Sequence, residues 1–317
     1  MPHVVTVNKL RFLYGDHLAL DGVGFNVAPG ESFGLLGPNG SGKTTCFRIL
    51  TTLLAPAGGT ASICGHDVVN ERDSVRASIG VVFQSPSLDP HLTTVENLRH
   101  GGHLYGLTAR MLEDRIGEVL AALHVADRAK DLVKTLSGGL QRRVEMAKCL
   151  LHRPSVLILD EPSTGLDPRA RKELWDYLKL LQRDHGMTLL LTTHYMEEAE
   201  RCDRLALFDR GRLVICGSPD DLKRRVGGDC VTIECADPPG LNDRIARELN
   251  CKAAVLNGAV RIETDSGPSI VTDVMNRFGD EIRSVTFGRP TLEDVFVHET
   301  GRRFEEASPS EESSDDE

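Results

Sequence analysis

The chain has 317 residues, of which 40% are hydrophobic and 26% charged, a composition typical of a globular protein of about two domains. Its net charge is −10, and no basic stripe indicates nucleic-acid binding. No apolar run approaches the length of a membrane span, and the first residues lack the features of a signal peptide. The eight cysteines form no Cys-x-x-Cys pair, so we expect free thiols and neither disulfides nor a zinc site.

The N-terminal region is rich in β-forming residues. It predicts strands over Val4–Leu10 and His17–Val27, with a turn at Tyr14-Gly15 between them. The aromatic face of Tyr14 could stack on a purine ring, and an ordinary core tyrosine is the alternative.

The next segment matches the pattern G-x-x-x-x-G-K-[ST] of a phosphate-binding loop. Its residues are Gly37, Pro38, Asn39, Gly40, Ser41, Gly42, Lys43 and Thr44. Phe33–Leu36 before it predicts a buried strand, and Thr45–Leu54 after it predicts a helix. Glycines allow successive backbone N–H groups to face one anion, and the helix N-terminus adds positive charge. With the Lys43 charge and the Thr44 hydroxyl as a Mg²⁺ ligand, the segment predicts nucleoside triphosphate binding.

The middle of the chain begins with predicted strands at Thr60–Cys64 and Ile79–Phe83. Gln84 follows the second strand and could present its amide to a metal or a water, and an ordinary surface residue is the alternative. A helical insert follows over residues 93–136. Ser137 then predicts the N-cap of a helix that starts with Gly138 and Gly139, a second helix end suited to phosphate, although many helices begin in this way.

Two acidic residues end the most apolar predicted strand, Val156–Glu161. Asp160 suits a metal-holding carboxylate and Glu161 a residue that takes a proton from water; two solvated acids are the alternative. A helix over Arg169–Arg183 and a buried strand at Thr188–Thr193, ending at His194, come next. The alternation of strands and helices predicts an α/β fold with a largely parallel core.

A second unit is predicted after a linker at Arg224–Gly228. Its β-α-β-β-α-β order is typical of a ferredoxin-like fold, with Asn257-Gly258 as a hairpin turn, and a last helix covers Thr291–Glu299. Seven of the acidic residues lie within the last thirteen positions, which contain no Lys or Arg. We therefore expect a disordered tail.

The order of these motifs closely resembles an ABC ATPase subunit over residues 4 to about 222. The resemblance rests on Tyr14, Gly37 to Thr45, Gln84, Leu136 to Gly139, Val156 to Glu161, Gly165 to Asp167 and His194. It implies that Tyr14 stacks on adenine and that the phosphate-binding loop with Thr45 holds ATP. It also implies that Thr44, Gln84 and Asp160 serve Mg²⁺, that Glu161 is the general base assisted by Gln84, and that His194 senses the γ-phosphate.

The resemblance further implies a fold and partners. The fold would be a P-loop NTPase of the ABC type over 1–225, with a helical subdomain at about 93–136, followed by a small α+β ferredoxin-like domain at 229–300 and the tail at 301–317. Such subunits form ATP-dependent head-to-tail homodimers, in which Ser137, Gly138 and Gly139 of one subunit close on the ATP of the other. They act on a separately encoded transmembrane permease, docked at Gln84 and the helical insert, from the cytoplasmic side of the membrane.

One position departs from the family signature, which usually ends in Gln where this chain has Leu140. Drug and polysaccharide exporters of the daunorubicin-resistance type often have an apolar residue there, and Pro290 to Gly301 also resembles their C-terminal segment. An exporter ATPase is therefore the leading interpretation. A soluble ABC ATPase acting on ribosomes or nucleic acid, or a regulatory ATPase whose 229–300 unit senses a ligand, are the alternatives.

Overall fold

Strands and helices alternate in the computed structural model, which describes residues 3–256 and 258–304. The strands are β1 Val5–Tyr14, β2 His17–Val27, β3 Ser32–Leu36, β4 Gly58–Ile63, β5 His66–Asp67, β6 Ile79–Val82, β7 Val156–Asp160, β8 Thr188–Thr193, β9 Arg204–Asp209, β10 Arg212–Gly217, β11 Asp229–Cys235, β12 Ala253–Leu256, β13 Ala259–Thr264 and β14 Ile282–Gly288. The helices are α1 Lys43–Leu50, α2 Arg72–Ser78, α3 Thr94–Leu104, α4 Ala109–Ala122, α5 Gly138–Leu150, α6 Pro168–His185, α7 Met196–Ala199, α8 Pro219–Val226, α9 Pro238–Leu249, α10 Gly267–Phe278 and α11 Leu292–Thr300.

The central sheet has six strands in the order β10-β9-β3-β8-β7-β6. Every neighbouring pair is parallel except β10 with β9, and every residue of β3, β7 and β8 is buried. Parallel strands present their carboxyl ends at one edge of a sheet, where ligands bind in open α/β folds. The segments that follow β3, β6, β7 and β8, each carrying predicted site residues, therefore meet at this edge, and the predicted α/β fold with a parallel core is confirmed.

A second, antiparallel sheet in the order β2-β1-β4-β5 packs beside the phosphate-binding loop. Most of its buried residues share one hydrophobic cluster with α1, with Phe33 and Leu35 of β3, and with Val156 and Ile158 of β7. Phe25 of this sheet stacks on Phe33 of the central sheet, with ring centroids 5.1 Å apart. The N-terminal strands thus pack on one side of the central sheet. They place the β1–β2 hairpin, with Tyr14, next to the carboxyl edge of that sheet.

The helical insert consists of α3 and α4, packed against α5 in a cluster that continues to α6. A capping box starts α3, because Thr93 and Glu96 each bond the other's backbone N–H. Helix α2 was not predicted, since its segment contains a single buried residue, Val75, and therefore no apolar periodicity. Among the described residues no helix is both long enough and apolar enough to cross a membrane, and all eight cysteines are free thiols, as predicted.

The ferredoxin-like unit is confirmed by a four-stranded antiparallel sheet in the order β12-β13-β11-β14. Buried residues of α9 and α10 and the inward side chains of β11 and β13 form its core. The predicted hairpin turn includes Asn257, which lies outside the described residues, and so does the acidic tail from 305 onward.

The predicted linker at Arg224–Gly228 was wrong in its first half, because α8 continues to Val226. Leu222 and Val226 are one helical turn apart, and both are buried against α11. The same cluster contains Leu36, the last residue of β3. Helix α11 therefore packs on the central sheet next to the phosphate-binding loop, and its buried face is not part of the ferredoxin-like core.

Candidate functional site

The phosphate-binding loop, residues 37–44, joins β3 to α1 at the carboxyl edge of the central sheet. Gly42 is the N-cap of α1 with φ +103, a conformation that L residues rarely adopt. A Cβ atom there would lie 2.7 Å from the carbonyl oxygen of Ala19, and one on Gly37 would lie 2.5 Å from that of Phe208. The loop therefore needs glycine at both positions, since neighbouring backbone leaves no room for a side chain.

Lys43 lies on the inner side of this loop and is 3% exposed. Its Nζ donates to the carbonyl oxygens of Gly37 at 2.7 Å and Pro38 at 2.8 Å. Burial lowers the pKa of Lys43 to about 8, although the carboxylates of Glu161 and Asp160 act in the opposite direction. The loop also buries the Ser41 hydroxyl, which has no hydrogen-bond partner in the part of the chain that the structure describes. A phosphate would satisfy that hydroxyl and the free N–H groups of the first turn of α1.

A cavity of about 200 Å³ opens in front of the loop. It is lined by Tyr14, His17, Ala19, Asn39, Gly40, Gly42, Lys43, Thr44, Thr45 and Glu161. Tyr14 is 43% exposed and contacts Phe12 edge to face, with ring centroids 4.9 Å apart. The structure thus brings the predicted aromatic residue, the loop and one of the two predicted acids to a single cavity, and Tyr14 is not a core residue.

Asp160 ends β7 and is buried beneath the loop. The Thr192 hydroxyl on β8 donates to its Oδ1 at 2.5 Å. Burial raises the pKa of Asp160, and this hydrogen bond and the Lys43 charge act against the increase. Sequence reasoning missed Thr192, although a hydroxyl at the end of a leucine-rich strand was the available signal.

Glu161 follows with φ +45, which turns its side chain toward the cavity. Three side chains converge on its carboxylate: Gln84 Nε2 at 3.4 Å, Thr164 Oγ1 at 3.2 Å and His194 Nδ1 at 3.2 Å. Burial by itself would raise the pKa of Glu161, but His194 and then Lys43 lower it overall. Glu161 is therefore held as a carboxylate that can accept a proton from water.

Oxygen donors for a divalent cation lie on three segments at this edge: the Thr44 hydroxyl, the Gln84 amide oxygen and the Asp160 carboxylate. Mg²⁺ prefers hard oxygen ligands and completes its shell with phosphate oxygens and water. The residues present therefore fit Mg²⁺ bound together with a nucleotide.

Ser137, Gly138 and Gly139 lie elsewhere. Ser137 caps α5 as predicted, with its hydroxyl accepting from the N–H of Leu140 at 3.4 Å. The three residues line another cavity, of about 320 Å³, together with the start of α6 and the loop before it. Neither Lys43 nor Glu161 lines that cavity. The structure thus does not bring this second helix end to the phosphate-binding loop of its own chain.

The chain is similar to known proteins over nearly its whole length. A protein-family model described as "ABC transporter" matches residues 20–164. A daunorubicin resistance ATP-binding protein of Streptomyces coeruleorubidus is 41% identical over 96% of this chain and 98% of its own length. A Nod factor export ATP-binding protein of Cupriavidus metallidurans is 39% identical over 96% of this chain and 99% of its own length. Among solved structures, a dimeric ATP-binding cassette in a post-hydrolysis state with ADP and Pi superposes with a TM-score of 0.61, at 27% identity, over 68% of this chain and 98% of that one.

Proposed function

The chain belongs to the ATP-binding proteins of ABC transporters, and from that membership we propose that it uses ATP hydrolysis to power export through a separate membrane subunit. The chain binds and hydrolyses ATP, as its family does. Export is supported by two relatives that match it over nearly their whole length and are named for drug resistance and for Nod factor export. The exported compound is selected by the membrane subunit.

The single observation that carries the proposed site is the convergence of Gln84, Thr164 and His194 on the Glu161 carboxylate. Glu161 orients a water molecule and takes its proton as the water attacks the γ-phosphate. Lys43 and the loop N–H groups offset the charge on the phosphates, and His194 contacts the γ-phosphate while it orients Glu161. Tyr14 stacks on adenine at the open end of the cavity.

Mg²⁺ is the cation that we assign to Thr44, Gln84 and Asp160. When bound, it neutralises charge on the β- and γ-phosphates. Asp160 holds its position through the bond from Thr192. Gln84 contacts Glu161 as well, so the same side chain serves both the cation and the base.

The second helix end is assigned to the ATP of a partner subunit, in a head-to-tail homodimer. Gly138 supports this assignment, because a Cβ atom on it would meet no atom of residues 3–256 or 258–304 within 4 Å. The space in front of α5 is thus open to a phosphate from outside. The solved cassette that resembles this chain is itself dimeric.

The membrane subunit is assigned to the surface formed by Gln84 and the helical insert. Leu104 and Met111, on either side of the α3–α4 turn, are 84% and 63% exposed, and Tyr105 between them is 42% exposed. Apolar side chains clustered in this way are typical of an interaction site. The chain would then sit peripherally on the cytoplasmic side of the membrane.

We assign the ATPase domain to residues 1–225, with its helical subdomain at about 93–136, and the accessory domain to 229–300. The predicted tail begins at 301, but Phe304 contacts Phe296 edge to face, with ring centroids 5.1 Å apart, and Arg302 pairs with Asp209. Residues 305–317 lie outside the described part of the chain. Within the accessory domain only β11–β14 with α9 and α10 share the ferredoxin-like core, and α11 belongs to the cluster around Leu36.

The deciding experiment for the site is Glu161→Gln. This variant should bind ATP with the affinity of the wild-type chain and form a stable dimer in its presence, with hydrolysis nearly abolished. Hydrolysis at the wild-type rate would exclude Glu161 as the base.

The transporter assignment is tested by fractionation: the tagged chain should reach membranes only when a multi-span partner is co-expressed. Co-sedimentation with ribosomes would favour the soluble alternative, and ATPase activity that responds to a small ligand bound at 229–300 would favour the regulatory one.

A further inference from the structure

We propose that Arg142, on α5, is a positioning residue that holds the Gln84 segment and the Glu161 segment in register with each other and with the second helix end. The proposal rests on the proposed roles of Gln84 and Glu161. Arg142 lies three residues after Gly139 and is 7% exposed. It is not one of the three side chains that contact the Glu161 carboxylate, and it reaches the two segments through their backbone carbonyl oxygens.

The guanidinium of Arg142 donates to three carbonyl oxygens on two separate segments. Its Nη1 donates to the carbonyl oxygen of Phe83 at 2.7 Å, directly before Gln84. Its Nε donates to Pro162 O at 2.8 Å and its Nη2 to Glu161 O at 3.3 Å. One side chain thus holds the backbone of residue 83, next to Gln84, and the backbone of residues 161–162, which carries the proposed base.

Glu145, one turn further along α5, completes this arrangement. Its Oε2 accepts from Arg142 Nη1 at 2.8 Å, and its Oε1 accepts from the backbone N–H of Ser87 at 2.6 Å. The pair is buried, with Glu145 2% exposed. Removing either partner would therefore leave an uncompensated charge in the interior.

Two further bonds join α5 to the same segment. Lys148 Nζ donates to Ser87 O at 2.8 Å, and the Cys149 thiol donates to Val81 O at 2.7 Å. Residues 81–87 are therefore held along the length of a helix whose first residues are Gly138 and Gly139. A displacement of that helix end, such as a nucleotide of the partner subunit would cause, is transmitted to Gln84 and Glu161 as one unit.

The planar guanidinium is needed for this geometry. Three nitrogen atoms in a rigid fork reach acceptors at Phe83, Pro162, Glu161 and Glu145, whereas lysine has one nitrogen on a flexible stem. None of these four acceptors belongs to the phosphate-binding loop. Loss of the fork should therefore disturb catalysis while the loop still binds nucleotide.

The test is Arg142→Lys, with Arg244→Lys as the matched control. Arg244 also lies in a helix, α9, and also forms a two-nitrogen pair with a carboxylate, Glu281, but that pair is partly exposed and lies in the accessory domain. We expect kcat to fall about 10²-fold in Arg142→Lys, the loss typical of misplaced catalytic groups. The Kd for ADP should match that of Arg244→Lys. The unfolding midpoint, followed by fluorescence of the single tryptophan, Trp175, should fall because buried carbonyl oxygens lose their donors, but it should stay above the temperature of the assay.

Glu145→Gln is a second measurement that keeps the proposal testable if Arg142→Lys folds poorly. It removes the carboxylate that pairs with Arg142, and it should lower kcat while the Kd for ADP stays unchanged. Where both variants fold, the Arg142→Lys/Glu145→Gln double variant should lose no more activity than Arg142→Lys alone, because the pair acts as one unit. Additive losses would overturn the proposal, and so would wild-type kcat in Arg142→Lys or a parallel loss of ADP affinity. If Glu161→Gln hydrolyses ATP at the wild-type rate, Glu161 is not the base and this inference fails with that assignment. If Glu161→Gln is inactive but Arg142→Lys hydrolyses ATP at the wild-type rate, only the positioning role of Arg142 is refuted.

Discussion

Nδ1 of His194 lies 3.2 Å from Oε1 of Glu161, so the first residue after β8 and the first residue after β7 meet at the edge of the central sheet. This contact is the largest of those that lower the pKa of Glu161 against the effect of burial. The carboxylate form is the active form of a base. The contact thus extends the range of pH over which the proposed reaction proceeds.

His194→Ala should therefore move the acid limb of the kcat/KM profile to higher pH. Without the imidazole the pKa of Glu161 rises, and more alkaline conditions are needed to deprotonate it. We also expect kcat to fall about 10²-fold. The exposed His100, replaced by Ala, is the control and should leave the profile in place. An acid limb that stays fixed or moves to lower pH in His194→Ala would contradict the assignment.

Nucleotide affinity should weaken as the pH rises through the pKa of Lys43, which burial lowers to about 8. Above that pH the Lys43 amine of the free chain is neutral. Because a bound phosphate favours the charged ammonium, Lys43 must take up a proton from the buffer when the nucleotide binds. Calorimetry of ADP binding, in two buffers of different ionisation enthalpy, should show proton uptake about one unit above this pKa. A Kd for ADP that does not change across this range would show that Lys43 stays charged in the free chain.

Gly138→Asp should abolish ATP hydrolysis without destabilising the chain. An acidic residue in the first turn of α5 interacts favourably with the helix dipole, and the site has space for a side chain. The added charge would instead repel a phosphate of the partner subunit. Gly117→Asp, on the exposed face of α4, adds the same charge as a control. If Gly138→Asp still hydrolyses ATP and still dimerises with ATP in a Glu161→Gln background, the head-to-tail arrangement is wrong.

Phe296→Ala should lower the free energy of unfolding by about 3–5 kcal/mol, although it lies in the last helix. Phe296 is fully buried in the cluster that contains Leu36, so the loss falls on the core behind the phosphate-binding loop. Phe287→Ala is the comparison, because Phe287 is 45% exposed and should cost less than about 1 kcal/mol. Equal effects in urea unfolding would mean that α11 contributes little to that core.

The elements that local rules describe were predictable. Ser137 caps α5 because a hydroxyl before an apolar periodic segment satisfies a free N–H group of its first turn. The strand, loop and helix around Lys43 followed from glycine spacing and apolar runs. The end of α8 was not predictable, because its last turn is stabilised by α11, which lies far away in the chain.

The amino-acid sequence by itself determined the chemical groups of this protein, since a phosphate-binding loop, two acids after an apolar strand and a histidine after the next one are readable from order and spacing. Only the tertiary structure decided how they act together. It placed Gln84 and His194 against Glu161 and set Gly138 in a separate cavity. It also placed the buried Arg142 on the helix that begins at Gly138, with hydrogen bonds to the backbone of Phe83 and Glu161. These contacts link residues far apart in the chain, and they form only when parallel strands bring their carboxyl ends to one edge.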